Sequence, residues 1–189
     1  MTKLIEMFRL AKLVDMQDGE IDLMGTPVNI IPTHILCYLQ KDLIEALGFR
    51  KAYEKIYAGA KEGARKYNQS FIEKYGFRDK RKTLDWQIKI VTSAGWGKSE
   101  VAFVDFKEDR AVIRYDKSPL PREYGRVEYP ACILPTAFTA GGACVALGTD
   151  QDAVETKCMV MGSPFCEIEI GSPDRIAELR ERLWREWGI

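Results

Sequence analysis

Residues 154–168 of this 189-residue chain read VETKCMVMGSPFCEI, and this stretch decides how the rest of the sequence is interpreted. Its turn residues, Gly162-Ser163-Pro164, separate two runs of strand-forming residues, Val154–Met161 and Phe165–Ile170. Glycine and proline mark turns, and short apolar runs bounded by turn residues are typical of strands. The stretch therefore predicts a hairpin near the end of the chain.

A carboxylate and several thiols lie where this hairpin can bring them to one point. Glu155 and Cys158 are close together before the turn, and Cys166 follows it. A further thiol, from Cys132 or Cys144, would come from the helix that we expect beneath the hairpin. Three thiolates and one carboxylate complete a tetrahedral zinc shell, and soft thiolates select zinc over magnesium or calcium. A closed shell predicts a structural ion, about one zinc per chain; buried structural cysteines explain the same spacing equally well.

The part of the chain before residue 95 predicts helices. One helix begins near Pro32 and ends at Gly48, a natural C-cap residue. A long helix follows over Phe49–Tyr75, because its apolar residues recur at helical spacing. A third helix is predicted over Thr83–Ala94.

Alternating and small residues dominate the second half of the chain. Val101–Phe106 and Ala111–Tyr115 predict a hairpin, since apolar residues alternate on both sides of a turn. Ala131–Leu147 is rich in Ala, Gly and Cys and predicts a buried helix that packs closely against its neighbours. Asp174–Trp187 predicts a charged, amphipathic closing helix with Ser172 as its N-cap.

These segments together predict one domain of the α/β class (α+β type), with an antiparallel sheet packed against a layer of helices and a C-terminal hairpin pinned by zinc. A chain of this length buries roughly 70% of its unfolded surface, so a core can form without disulfides. Within the single domain 1–189, the predicted parts are N-terminal strands (1–30), a helical part (32–94), hairpins with the metal site (96–170) and the closing helix (172–189).

Composition and charge argue against several classes of function. Lys and Arg together number 28, and Asp and Glu together also number 28, so the formal net charge is zero. A surface for nucleic acid is therefore not expected. The first residues lack the uninterrupted apolar run of a signal peptide, and no apolar window is long enough to predict a membrane span. We therefore expect a protein of the reducing cytoplasm, where its five cysteines favour metal binding or redox chemistry over disulfides.

The stretch at residues 154–168 resembles the C-terminal signature of the 4-vinyl reductase domain family. The resemblance extends over most of the chain, from about Gly19 to Ile170, and is most specific in that signature. Supporting motifs, in chain order, are Trp96-Gly97, Ser118-Pro119, Pro130-Ala131-Cys132 and Gly141-Gly142. The resemblance implies an α/β fold related to TRAPP vesicle-tethering subunits and to the sensor domains of aromatic-responsive transcription activators.

The resemblance also implies a set of site residues and partners. Phenol-sensing members of the family bind zinc through Cys, Glu, Cys and Cys. The matching residues here are Cys132, Glu155, Cys158 and Cys166, so the resemblance prefers Cys132 over Cys144. It further implies a buried pocket for a small apolar molecule and pairing into homodimers. The predicted helical part would then provide the pocket wall and the dimer face.

Candidate pocket residues are those whose side chains can line a cavity, although each can equally belong to the ordinary core: His34, Trp86, Trp96, Phe103 and Tyr115. The phenol sensors hold the phenol hydroxyl with a His and a Trp. Here no Trp occurs near Ala111, and His34 is the only histidine. We therefore do not expect phenol itself as the ligand. Since no output domain follows the signature, a transcription activator of that architecture is not expected either.

The predicted function is that of a zinc-containing protein that binds a small hydrophobic molecule as a sensor or carrier and acts as a dimer. Binding is expected rather than catalysis, because the sequence contains no nicotinamide or flavin signature that would supply hydride. Two alternatives remain. One is an accessory protein or enzyme of vinyl-group reduction in tetrapyrrole synthesis, and the other is a scaffold that resembles TRAPP subunits.

Overall fold

The computed structural model of the chain describes residues 14–23 and 25–189. The strands are β1 (Val14–Gln17), β2 (Glu20–Leu23), β3 (Thr26–Pro27), β4 (Lys98–Asp105), β5 (Arg110–Asp116), β6 (Asp152–Lys157) and β7 (Cys166–Gly171). The helices are α1 (Thr33–Leu47), α2 (Phe49–Tyr75), α3 (Lys80–Ser93), α4 (Pro119–Tyr124), α5 (Ile133–Leu147) and α6 (Pro173–Trp187). Of the strands predicted within residues 1–30, any part at residues 1–13 lies outside the described residues.

The described residues form two antiparallel sheets, and the larger one carries the site. The small sheet has the order β1-β2-β3, and the large sheet has the order β4-β5-β7-β6. Every second residue of β5, namely Ala111, Ile113 and Tyr115, is buried, as expected for a strand with one covered face. Helices α3 and α5 pack against this sheet. The predicted architecture, an antiparallel sheet packed against helices, is therefore confirmed.

The long helices α2 and α5 pack at short distance because Gly141 of α5 has no side chain. A Cβ atom at Gly141 would lie only 2.3 Å from the backbone oxygen of Lys61 and 2.8 Å from the Cβ of Ala64. Pro135 lies in the first turn of α5, where a missing N–H removes no helical hydrogen bond. The small residues of α5 thus allow the close contact that the sequence predicts.

Local capping sets the boundaries of the N-terminal helices. Gly48 separates α1 from α2 with a φ of +75°, a conformation that favours glycine. The side chain of Asp79 accepts a hydrogen bond from the backbone N–H of Lys82 at 2.8 Å. Because Asp79 is an efficient N-cap, α3 begins at Lys80, earlier than apolar spacing alone predicts.

The closing helix α6 packs against β6 and β7 and extends the core. Trp184 is 2% exposed, and its ring meets Phe49 and Tyr53 edge-on, with centroids 5.6 and 5.0 Å away. Ser172 occupies the predicted N-cap position, although its hydroxyl makes no capping hydrogen bond. Among the residues that the structure describes, no helix is long and apolar enough to cross a membrane.

One segment differs from its predicted element, and another forms a helix outside the predicted elements. The strand predicted over Val154–Met161 ends at Lys157, and Met159–Met161 form a single 3₁₀ turn that ends at Gly162, with a φ of +98°. The proline-rich segment after Ser118 forms helix α4. Its prolines occupy the first turn, which tolerates residues without an N–H donor.

Candidate functional site

A bulge in β6 places Glu155 and Cys158 on the same side of the sheet. In a regular strand the side chains alternate between faces, so residues three apart point in opposite directions. Here Glu155 and Lys157 pair with adjacent residues of β7, and Thr156 is an extra residue in the ladder. The bulge shifts the alternation by one residue. As a result Glu155 and Cys158 are both buried, at 2% and 1% exposure.

The other two members of the cluster come from the start of α5 and the start of β7. Cys132 is the N-cap residue of α5, and Cys166 is the first residue of β7. One ligand atom from each of Cys132, Glu155, Cys158 and Cys166 lies within 4.8 Å of the other three. The Sγ atoms of Cys132 and Cys166 are 3.4 Å apart. The structure thus brings together the four side chains that the resemblance selects, in an arrangement that can hold a metal ion.

The four side chains of this cluster do not all ionise together, because some of them retain protons when no cation is bound. Hydrogen bonds from Cys132 and Cys166 lower the pKa of Cys158 to about 2. The hydrogen bond between Cys132 and Cys158 raises the pKa of Cys132 well above its usual range, and burial adds to the rise. Burial also raises the pKa of Glu155, and the nearby Cys158 adds to this effect. A divalent cation would take the place of these protons, because ligation requires the ionised forms.

The carboxylate of Glu155 has one oxygen with a hydrogen-bond partner and one without, and the second could bind a metal ion. Its Oε2 atom accepts a hydrogen bond from the backbone N–H of Cys132 at 3.1 Å. Its Oε1 atom is buried and has no hydrogen-bond partner among the residues that the structure describes. A buried acceptor without a partner is costly, and a cation bound there would satisfy it. The donor set, three thiols and one carboxylate, is the set that suits zinc.

Two neighbouring residues take no part in the cluster. Cys144, the alternative ligand on α5, accepts a hydrogen bond on its Sγ atom from the backbone N–H of Gln151 at 3.3 Å. The ammonium group of Lys157 lies 3.1 Å from a carboxylate oxygen of Glu167. The structure therefore places Cys132, rather than Cys144, with the three hairpin residues.

A cavity of about 410 Å³ lies beside the cluster, between α2, α3, α5 and the sheet. This volume is in the range of small-molecule sites, roughly 300–1,000 Å³. Its walls are mostly aliphatic and aromatic, with Leu84, Val91, Ile113 and Phe138 as examples. None of the described residues that line it carries a charge. The cavity therefore suits an uncharged, largely apolar molecule.

Three of the five predicted pocket residues line this cavity: Trp86, Trp96 and Tyr115. The ring of Trp86 stacks on Phe71, with centroids 3.4 Å apart, and this contact fixes its orientation. The hydroxyl groups of Tyr115 and Thr139 are 2.9 Å apart.

His34 and Phe103 lie elsewhere, and the predicted pocket needs correction at these two positions. His34 is exposed in the first turn of α1, on the side of the helix that also exposes Tyr38. Phe103 is 46% exposed because β4 has a bulge between Val101 and Phe103 in its pairing with β5. The bulge turns Phe103 to the outer face of the sheet, where a regular strand would have kept it on the same face as Val101.

The sequence alone does not identify several polar residues of the cavity. Tyr67 and Asn68 come from α2, and Gln87 comes from α3. The helical periodicity of α2 includes Tyr67, but periodicity identifies only the face that packs inward. Which inward-facing residues border a cavity depends on the spacing between helices, and a single sequence contains no direct signal for that spacing.

Strand β5 connects the cavity to the cysteine cluster. Tyr115, which lines the cavity, is the ladder partner of Cys166. The first residue of β7 thus belongs to the cluster, while its neighbour across the sheet belongs to the cavity wall. The fold and the site together define a mixed helix and sheet domain with an apolar cavity next to a buried cluster that can hold a metal ion.

Residues 111–172, which contain the whole cluster, match the family model of the 4-vinyl reductase domain. This match confirms the resemblance over residues 111–172. No curated protein matches the chain by sequence.

One solved structure shares the fold at low sequence identity, and two others superpose less closely. The phenol-responsive sensory domain of the transcription activator PoxR, crystallised with phenol, superposes with a TM-score of 0.78 at 18% identity, covering 95% of this chain and 96% of that one. A vinyl-4-reductase family protein from Methanocaldococcus jannaschii gives a TM-score of 0.49 at 14% identity, over 76% of this chain and 82% of that one. Subunit 3 of a trafficking protein particle complex from Naegleria fowleri, covalently bound to palmitic acid, gives a TM-score of 0.48 at 12% identity, over 74% of this chain and 93% of that one.

Proposed function

We propose that this protein binds a small hydrophobic molecule as a sensor or carrier and that a structural zinc ion stabilises the binding domain. The single observation that carries the proposal is the apolar cavity of about 410 Å³ whose wall residue Tyr115 pairs with Cys166 of the buried cluster. The likeness to the phenol-responsive sensory domain of PoxR supports the same function.

In this proposal the ion would be held by Cys132, Glu155, Cys158 and Cys166. With four protein ligands no position remains for water, so the ion would connect α5, β6 and β7 rather than catalyse. The backbone N–H of Met159, which lies 3.4 Å from the Sγ atom of Cys166, stabilises a thiolate at that position. The anchored start of β7 would keep the neighbouring cavity wall in place when a ligand enters or leaves.

Exposed apolar side chains on and near α1 support a homodimer. They form a row with a spacing of four residues. Rows with this spacing are the ridges that pack into the grooves of a second helix when two helices pair. Each member is at least 39% exposed: Ile31, Ile35, Leu39, Leu43 and Leu47. Monomeric proteins rarely expose a contiguous apolar row of this kind. We propose a second copy of the chain as its partner. We also propose the reducing cytoplasm as the compartment, because it keeps the five buried cysteines out of disulfides.

Native mass spectrometry of freshly purified protein tests the three parts of the proposal together. We expect an even number of chains, about one zinc per chain, and a small neutral molecule that is released on collisional activation. Protein treated with a chelator serves as the control for the zinc mass. Metal-free monomers without a bound molecule, under conditions that preserve the fold, would contradict the proposal.

A further inference from the structure

The polar groups of the cavity indicate which class of ligand it accepts. Five residues with a hydroxyl or an amide side chain line the cavity: Tyr67, Asn68, Gln87, Tyr115 and Thr139. The lining residues in the described part of the chain include no acid, no base and no histidine. An ionised ligand would therefore find no counter-charge in the cavity wall to offset its desolvation.

The donors of Thr139 and Tyr115 are already committed to protein acceptors. Thr139 donates its hydroxyl hydrogen to the backbone oxygen of Pro135 at 2.8 Å, since a carbonyl oxygen can only accept. In the 2.9 Å contact between the two hydroxyls, Tyr115 is therefore the donor and Thr139 the acceptor. Neither residue has a hydrogen left for a ligand.

The amide hydrogens of Gln87 are also committed. Its Nε2 atom donates to the backbone oxygen of Gly142 at 3.0 Å and to Oδ1 of Asn68 at 2.9 Å. Asn68 in turn donates from Nδ2 to the backbone oxygen of Ala64 at 2.8 Å. The two backbone acceptors determine which end of each amide is nitrogen, so the orientation of this network is settled by its own contacts.

Among the hydroxyl groups that line the cavity in the described part of the chain, that of Tyr67 is the one whose hydrogen is not committed to a protein acceptor. Its hydroxyl oxygen is buried and has no hydrogen-bond partner within the described ranges. Burial raises the pKa of Tyr67 to about 12, and Tyr75 and Asp22 add to the rise. The phenol therefore keeps its hydrogen at neutral pH. A buried donor without an acceptor costs more free energy than one that is paired, so a ligand acceptor at this point would be favoured.

We propose that the cavity selects uncharged, mainly apolar molecules with a hydrogen-bond acceptor, such as a ketone, ester or ether oxygen, which receives the hydroxyl hydrogen of Tyr67. The inference rests on the proposed ligand-binding function and specifies its ligand class. It separates neutral oxygen-bearing ligands from carboxylates and amines, for which the cavity offers no counter-charge, and from plain hydrocarbons, which leave Tyr67 unpaired.

Calorimetry with three naphthalene probes of similar shape tests this selectivity on the full-length, zinc-loaded protein. The probes are 2-acetylnaphthalene, which has an acceptor, 2-ethylnaphthalene, which has none, and 2-naphthoate, which is charged. We expect the ketone to bind about fivefold more tightly than the hydrocarbon, the size of one net hydrogen bond. The carboxylate should bind at least tenfold more weakly than the ketone, because its charge is desolvated.

Two variants determine whether Tyr67 causes the preference. Tyr67→Phe should bind the ketone and the hydrocarbon equally, with affinity for the hydrocarbon preserved. Tyr75→Phe is the matched control, since Tyr75 lies on the same helix, is 43% exposed and does not line the cavity; it should retain the fivefold preference. Equal binding of ketone and hydrocarbon to the wild type, or a preference that survives in Tyr67→Phe, would overturn the inference while leaving the ligand-binding function intact. Failure of all three probes to bind the wild type would instead overturn the ligand-binding function and the inference with it.

Discussion

The backbone N–H of Cys132 donates a hydrogen bond to Oε2 of Glu155 at 3.1 Å and so joins the start of α5 to the bulged strand β6. This contact uses one carboxylate oxygen and leaves Oε1 buried without a partner among the described residues. Two of the four proposed ligands are thus positioned by the fold itself. An ion would find part of its shell already arranged, which lowers the ordering cost of binding.

Removal of one thiolate should release the ion. In Cys158→Ser, zinc content should fall well below one per chain, and the melting temperature should drop by roughly 10 °C, since each kcal/mol is worth roughly 2–4 °C in a domain of this size. Cys144→Ser is the matched control, because Cys144 is also buried but its sulfur contacts Gln151 outside the cluster. Atomic emission and thermal melts measure both quantities. Full zinc content in Cys158→Ser would count against the assignment.

Glu155→Gln should have opposite effects on the metal-free and zinc-bound forms. Glutamine keeps an oxygen for the N–H of Cys132 but removes a buried acid whose pKa is raised by burial. The metal-free variant should therefore be more stable than the metal-free wild type, by about 1 kcal/mol. The zinc affinity should fall by at least tenfold because an anionic ligand is lost. Urea unfolding with and without a chelator, and competition with a zinc dye, measure the two effects. A variant with unchanged zinc affinity would exclude Glu155 as a ligand.

The two glycines of α5 should respond differently to substitution by alanine. Gly141→Ala would place a Cβ atom 2.3 Å from a backbone oxygen of α2, so the helices must separate, at a cost of about 3 kcal/mol. In Gly142→Ala the new Cβ atom lies 3.3 Å from Oε1 of Gln87, a side-chain atom that needs to shift by only a small distance. Its cost should be below about 1 kcal/mol, because alanine also favours the helix. Chemical denaturation measures both, and equal effects would contradict the close packing of α2 and α5.

A charge in the exposed row of α1 should separate the proposed dimer. Leu39 is 57% exposed, so Leu39→Glu should leave the fold of the chain intact while a glutamate within an apolar interface is strongly unfavourable. We expect the variant to sediment as a monomer at concentrations where the wild type is dimeric. Lys55→Glu, at an exposed position of α2, is the control for the charge change. A wild type that is already monomeric, or a variant that stays dimeric, would refute this interface.

The elements that could be predicted from sequence are those with a strong local signal. The long helix α2 and the closing helix α6 follow from apolar spacing, and the grouping of Cys158 with Cys166 follows from the turn between them. The separation of α1 from α2 at Gly48 follows from the conformational freedom of glycine.

What could not be predicted depends on bulges and on the spacing of helices. The bulge at Thr156 ends the alternation of β6 and brings Cys158 inward, and the bulge in β4 turns Phe103 outward. A bulge adds one residue to a strand and changes the composition little, so the alternation pattern misplaces the side chains that follow it. The cavity residues Tyr67 and Gln87 were missed because their helices are separate in sequence and meet only through packing.

X-ray absorption at the zinc K-edge, on wild-type protein purified without added metal, can decide whether Cys132, Glu155, Cys158 and Cys166 bind zinc. We predict a zinc shell of three sulfur atoms at ~2.3 Å and one oxygen atom at ~2.0–2.2 Å. A zinc-free protein, or a shell made only of nitrogen and oxygen atoms, would contradict it.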